Sequence, residues 1–106
     1  MNEHIFDKNR WQAMTIFEQM GNIGSEVGRA LNAKKRGDEK GMNSALWRGL
    51  DLIDASVEKL VQTKSPQTKE FLRAREQFAK LILTDDEDES LEKYFMEFAI
   101  VARLNR

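Results

Sequence analysis

The chain has no cysteine, one proline (Pro66) and one histidine (His4). Without cysteine there is no disulfide framework, no thiolate nucleophile and no Cys-based zinc site. A lone histidine in what reads as an N-terminal tail removes Ser/His, Cys/His and multi-His constellations together. No apolar run approaches the ~20 residues of a membrane-spanning helix. The opening MNEHIFDKNRW lacks the basic-then-apolar order of a signal peptide, so a cytoplasmic protein is expected. Neither sign of charge is in excess, since 17 Lys and Arg stand against 18 Asp and Glu. The chain therefore lacks the global basic field that nucleic acid or an anionic membrane would attract, which argues against both as partners. Alternating strand-like segments between hairpin turns are absent too.

What is present is an amphipathic chain of 106 residues, 41% hydrophobic and 33% charged, enough for one domain with a modest core. Apolar residues recur three and four apart, predicting helices over residues 9–36, 38–63, 66–83 and 87–104. Asp7 or Asn9 suits the first N-cap, and Lys34-Lys35-Arg36 before Gly37 suits a helix end. Ser65 fits an N-cap with Pro66 at the first helical position, and the acidic run 85–89 fits a turn and the start of the last helix. Short connections favour an all-α, antiparallel up-down-up-down four-helix bundle made by residues 1–106 as a single domain.

The stretch Phe17–Leu31, FEQMGNIGSEVGRAL, places Gly21, Gly24 and Gly28 inside the first predicted helix. Each interior glycine costs roughly 1 kcal/mol relative to alanine, so their shared face calls for an offsetting contact. Phe17, Gly21, Gly24 and Gly28 fall near the centre of the apparent apolar stripe, and with Trp47 they form a candidate helix-packing or interface groove. A Gly-rich phosphate loop is not expected, because no strand precedes these glycines. The second helix has a wide stripe, with Trp47 and Leu52 on its shoulders, as in a helix that touches two neighbours or a partner chain. Trp11 and Trp47 are both expected in the core, with a partner surface as the other reading.

A second candidate is a polar cleft in which Glu26, Arg29, Arg73, Arg75 and Glu76 converge on a phosphate or an acidic group. The plainer reading is solvated ion pairs of ~0.2–0.5 kcal/mol each. No Glu-x-x-His pair marks a di-iron bundle, and the 85–89 run has neither the glycine nor the ligand spacing of a calcium loop. No metal, cofactor or catalytic residue set is expected.

With Asn22-Ile23-Gly24-Ser25-Glu26-Val27-Gly28-Arg29, Arg48-Gly49-Leu50-Asp51-Leu52-Ile53-Asp54, Arg73-Ala74-Arg75-Glu76 and Tyr94-Phe95 through Arg103, the chain resembles a group of small uncharacterised prokaryotic helical-bundle proteins over most of residues 10–104. That group implies no established activity. More distantly the layout is similar to HEPN-type bundles, which are often encoded beside minimal nucleotidyltransferases. Ribonuclease members of that family carry an Arg followed four to six residues later by His; here no Arg precedes any His, so the resemblance implies no RNase activity. Asn22-Ile23-Gly24-Ser25-Glu26 also loosely resembles a stretch of the four-helix proteins encoded in ribosomal-RNA intervening sequences, which tend to be basic where this chain is not. The expected function is a non-enzymatic protein–protein interaction module, homodimeric, with a nucleotidyltransferase-type protein as the further partner. The alternative is a small-ligand or nucleotide-binding domain built on the Arg/Glu cleft.

Overall fold

The computed structural model describes residues 7–84 together with Ser90, Lys93, Tyr94, Glu97 and Ile100. Its helices are α1 (Lys8–Ala13), α2 (Ile16–Lys35), α3 (Glu39–Gln62) and α4 (Thr68–Leu83). The fold is all-α, with no strand among the described residues. The five isolated residues have helical backbone and fall within the span predicted for a last helix, whose remainder lies outside the described residues.

The single helix expected over residues 9–36 is two helices. Thr15 adopts an extended conformation (φ −66°, ψ 158°) and opens α2 with a reciprocal capping box. Its hydroxyl accepts from the Glu18 N–H at 3.1 Å, and the Glu18 carboxylate accepts from the Thr15 N–H at 2.9 Å. The Thr-x-x-Glu spacing that makes such a box lies in the sequence, but the apolar period of Trp11, Met14 and Phe17 runs straight across it. α1 is six residues long, too short to persist alone. It is held by Trp11, buried in the core, and by a Lys8–Glu58 ion pair at 3.0 Å.

Both long helices end in the same hydrogen-bonded motif. At the end of α2, the Asp38 N–H donates to Ala33 O and the Gly37 N–H to Lys34 O, with Gly37 at φ 74°. At the end of α3, the Ser65 N–H donates to Leu60 O and the Lys64 N–H to Val61 O, with Lys64 at φ 53°. The left-handed residue lets the chain turn while satisfying two terminal carbonyls. α4 starts two residues later than expected: Thr68 is its first residue, and the Ser65 hydroxyl accepts from the Gln67 N–H at 3.2 Å within the preceding turn.

Contacts between α2 and α3 run in opposite sequence order, Gln19 to Ser56 and Glu26 to Arg48, as in an antiparallel pair. The α3–α4 contacts do the same, Gly49 against Phe78 and Asp54 to Arg75. The Lys34 ammonium at the end of α2 donates to Leu81 O at 2.6 Å and to Thr84 O, placing a cation on the terminal carbonyls of α4. The largest fully buried side chains are Phe78, Met20, Ile23, Leu46, Ile53 and Val27.

The buried face of α2 is not the one the sequence suggested. Gln19, Met20, Ile23, Glu26, Val27, Ala30 and Leu31 are buried, whereas Phe17, Gly21, Gly24 and Gly28 are only half-buried. At ~100° per residue, the glycines lie about a quarter-turn or more around the helix from Ile23. A Cβ added at Gly28 would meet nothing within 4 Å. A close approach is found on α3, where a Cβ at Gly49 would stand 2.5 Å from Phe78 Cε2.

Candidate functional site

The residues proposed for one polar cleft are distributed over three places. Glu26 is buried (8% exposed) although charged. Arg48 of α3 reaches it in a fork, Nε to Oε2 at 3.1 Å and Nη2 to Oε1 at 3.3 Å. Arg29, one turn further along α2, adds a contact to Oε2 at 3.2 Å. Two guanidiniums, both largely exposed, thus bring a carboxylate to the α2–α3 seam with its lone pairs occupied, which is how a buried charge is tolerated. Arg48 is the central partner and was not among the expected site residues. A Glu and an Arg twenty-two positions apart are brought together only by the register of two helices.

Arg75 turns the other way. It pairs with Asp54 of α3, Nε to Oδ1 at 2.6 Å and Nη2 to Oδ2 at 3.3 Å. That hydrogen bond is the main reason its pKa is raised further. Glu76 is exposed. Arg73, Arg75 and Glu76 therefore do not converge with Glu26 and Arg29.

Arg73 lines a groove of about 700 Å³ with Lys69, Glu70 and Gln77 of α4 and with Ser90 and Tyr94. Lys69, Arg73 and Gln77 are four apart, as are Ser90 and Tyr94, so each set shares one helix face. Those spacings were the available signal in the sequence. Tyr94 donates its hydroxyl hydrogen to Glu70 Oε1 at 2.5 Å. Its pKa is raised well above the ordinary 10.0, chiefly by burial, then by the hydrogen bond to Glu70 and its charge, with Arg73 acting in the opposite direction. Because the folded value is raised, whatever stability the neutral phenol contributes is present below pH 10 and is lost as pH climbs above it. Tyr94 is the sole tyrosine, so the phenolate absorbance reports it alone. An alkaline titration of the folded protein should show its midpoint above 10.0, and Glu70→Gln should lower that midpoint without restoring the ordinary value, since burial is the larger cause. A midpoint at or below 10.0 would contradict the geometry.

Of the interface candidates, Trp47 is 63% exposed, which corrects its expected place in the core, while Trp11 is buried at 5%. The α2–α3 register sets Gly28 level with Trp47 along the helix pair. Among the described residues no group of three or more His, Asp or Glu side chains is placed to hold a metal ion. No buried side-chain nitrogen or oxygen there lacks a hydrogen-bond partner. Comparison with protein-family models, curated proteins and solved structures finds no match.

Proposed function

We propose that the protein is a non-enzymatic interaction module that pairs with a second copy of itself through the Trp47 shoulder of α3. The observation that carries this reading is Trp47, 63% exposed on a helix whose other face is core. Exposing a tryptophan forfeits roughly 1.5–3 kcal/mol of burial, and tryptophan is the side chain that most often anchors an interface. Gly28 is level with it along the helix pair, and a Cβ there would meet nothing within 4 Å, so α2 also has open surface at that height. The polar groups that could have argued for chemistry are largely committed elsewhere, Glu26 to Arg48 and Arg75 to Asp54. No helix among the described residues is long and apolar enough to cross a membrane. The resemblance to HEPN-type bundles supplies the further partner, a nucleotidyltransferase-type protein; co-purification with one encoded beside this chain is its test.

For self-association the test uses light scattering and fluorescence. Trp11→Phe leaves Trp47 as the only indole. In that background the emission of Trp47 should shift to the blue as protein concentration rises and the dimer forms. Trp47→Lys should give a monomer at every concentration, with helical content unchanged. A wild-type protein that stays monomeric with an unshifted Trp47 emission would sink the proposal.

A further inference from the structure

The groove along α4 has a lining that the interaction reading does not use. We infer that it is a binding site for a small phosphate monoester carried on a hydroxylated skeleton, the chemistry shared by sugar phosphates and nucleoside monophosphates. Its volume of about 700 Å³ falls within the usual range for small-molecule sites. Lys69 and Arg73 both line it, and neither has an ion-pair partner among the described residues. This sets Arg73 apart from Arg48 and Arg75, whose guanidiniums are occupied by Glu26 and Asp54. Lys69 and Arg73 lie on successive turns of one helix face, close enough for both to reach a single phosphoryl group. The first turn of α4 lies at the Lys69 end, and its macrodipole adds to the same sign of field.

The rest of the lining sets the ligand class. Gln77 offers an amide donor and acceptor beyond Arg73. Glu70 is the one carboxylate among the groove's described residues, and Tyr94 occupies its Oε1. The other carboxylate oxygen is an acceptor for a ligand hydroxyl. Tyr94, half-buried, supplies an apolar ring to support the skeleton. A bare divalent cation is disfavoured by Lys69 and Arg73, and a purely apolar ligand by a lining in which only Ala74 lacks a polar or charged group.

The experiment is calorimetric titration of the full chain with inorganic phosphate and with ribose 5-phosphate, in a phosphate-free buffer of low ionic strength. Saturable 1:1 binding of ribose 5-phosphate is expected, tighter than that of phosphate. Arg73→Gln should weaken both by ~10- to 100-fold, the loss expected for a charge-assisted contact. Glu70→Gln should tighten inorganic phosphate several-fold by removing the opposing charge, while costing ribose 5-phosphate its hydroxyl acceptor and so narrowing the gap between the two probes. Lys40→Gln, an exposed change on α3, serves as the control for nonspecific screening and should leave binding unchanged. Arg73 and Glu70 are both exposed, so these variants should fold, which circular dichroism checks. The assignment is overturned if neither probe binds saturably at millimolar concentration, if Arg73→Gln and Lys40→Gln weaken binding equally, or if Glu70→Gln weakens inorganic phosphate. The outcome is independent of self-association, because Trp47→Lys leaves the groove intact.

Discussion

Gly49→Ala should destabilise the protein by about 1–3 kcal/mol, although alanine is the better helix former by roughly 1 kcal/mol. The added methyl would stand 2.5 Å from Phe78 Cε2 and 3.2 Å from Cζ. Phe78 is fully buried, so its ring has no free space into which to move. The same Cβ would sit 3.4 Å from Glu26 Cβ, so the α2 backbone limits escape on the other side. Gly49 is thus where three helices meet closely, α3 against both α2 and α4. Gly28→Ala is the matched opposite. Its new methyl meets nothing within 4 Å, so only the propensity gain remains and stability should rise by about 0.5–1 kcal/mol. Urea midpoints of the two variants, with unchanged slopes, check both signs at once. A stabilising Gly49→Ala would mean that the α3–α4 contact is looser than described. Gly49→Leu should exceed the alanine cost and leave little folded protein.

The contrast between Gly28 and Gly49 shows what the sequence could convey about this fold. The three glycines of FEQMGNIGSEVGRAL drew attention because they cluster within one stretch, whereas Gly49 stands alone. Propensity measures the intrinsic cost of a glycine, which is the same at Gly28 and Gly49. Whether a neighbour offsets that cost depends on the approach of a distant helix, and only the assembled structure contains it. Local features were more legible. Asp7 and Gly37 perform the cap and turn roles that their chemistry suggested, while Asp38 caps α3 from just outside the helix. The bounds of α3 and α4 fall within two residues of those the apolar spacing predicts. The break at Met14–Thr15 was obscured because Trp11 and Met14 keep the helical spacing of α2 while belonging to a separate element or to the break itself.

The polar site was less legible still. Glu26 and Arg29 stand three apart on one helix, and they are in contact, but the fork of two hydrogen bonds comes from Arg48. Arg73 and Arg75 are adjacent in the sequence reading yet separated by about 200° of helix, so one can enter the groove while the other reaches Asp54. A residue list ordered by charge cannot separate them; the angle around α4 does.

Ser56→Ala should cost about 2–4 kcal/mol, since removing one hydroxyl takes a hydrogen bond from two buried groups. The Trp11 Nε1–H donates to Ser56 Oγ at 3.0 Å, and the Ser56 hydroxyl donates in turn to Gln19 Oε1 at 2.6 Å. Gln19 is 4% exposed and spends its amide hydrogens on Trp11 O at 3.1 Å and Met14 O at 3.2 Å. A chain of bonds therefore runs from the indole of α1 through α3 and α2 back to the terminal carbonyls of α1. The Ser56 hydroxyl both accepts and donates in it, so its loss leaves the Trp11 indole N–H and the Gln19 carbonyl oxygen without these partners. The consequence should be local before it is global. α1 is short, and its attachment depends on Trp11, on Gln12 Nε2 donating to Ala55 O at 2.9 Å, and on this chain of bonds. Hydrogen exchange should then accelerate in α1 well before α3 and α4 are affected, and the Trp11 emission should shift to the red while helical content barely changes. Gln19→Leu should produce the same local release by a different route, because it removes the amide that closes the α1 carbonyls while adding apolar bulk. If Ser56→Ala costs under ~0.5 kcal/mol, or if protection falls evenly across all helices, the hydrogen-bonded chain does not hold the break in the place described.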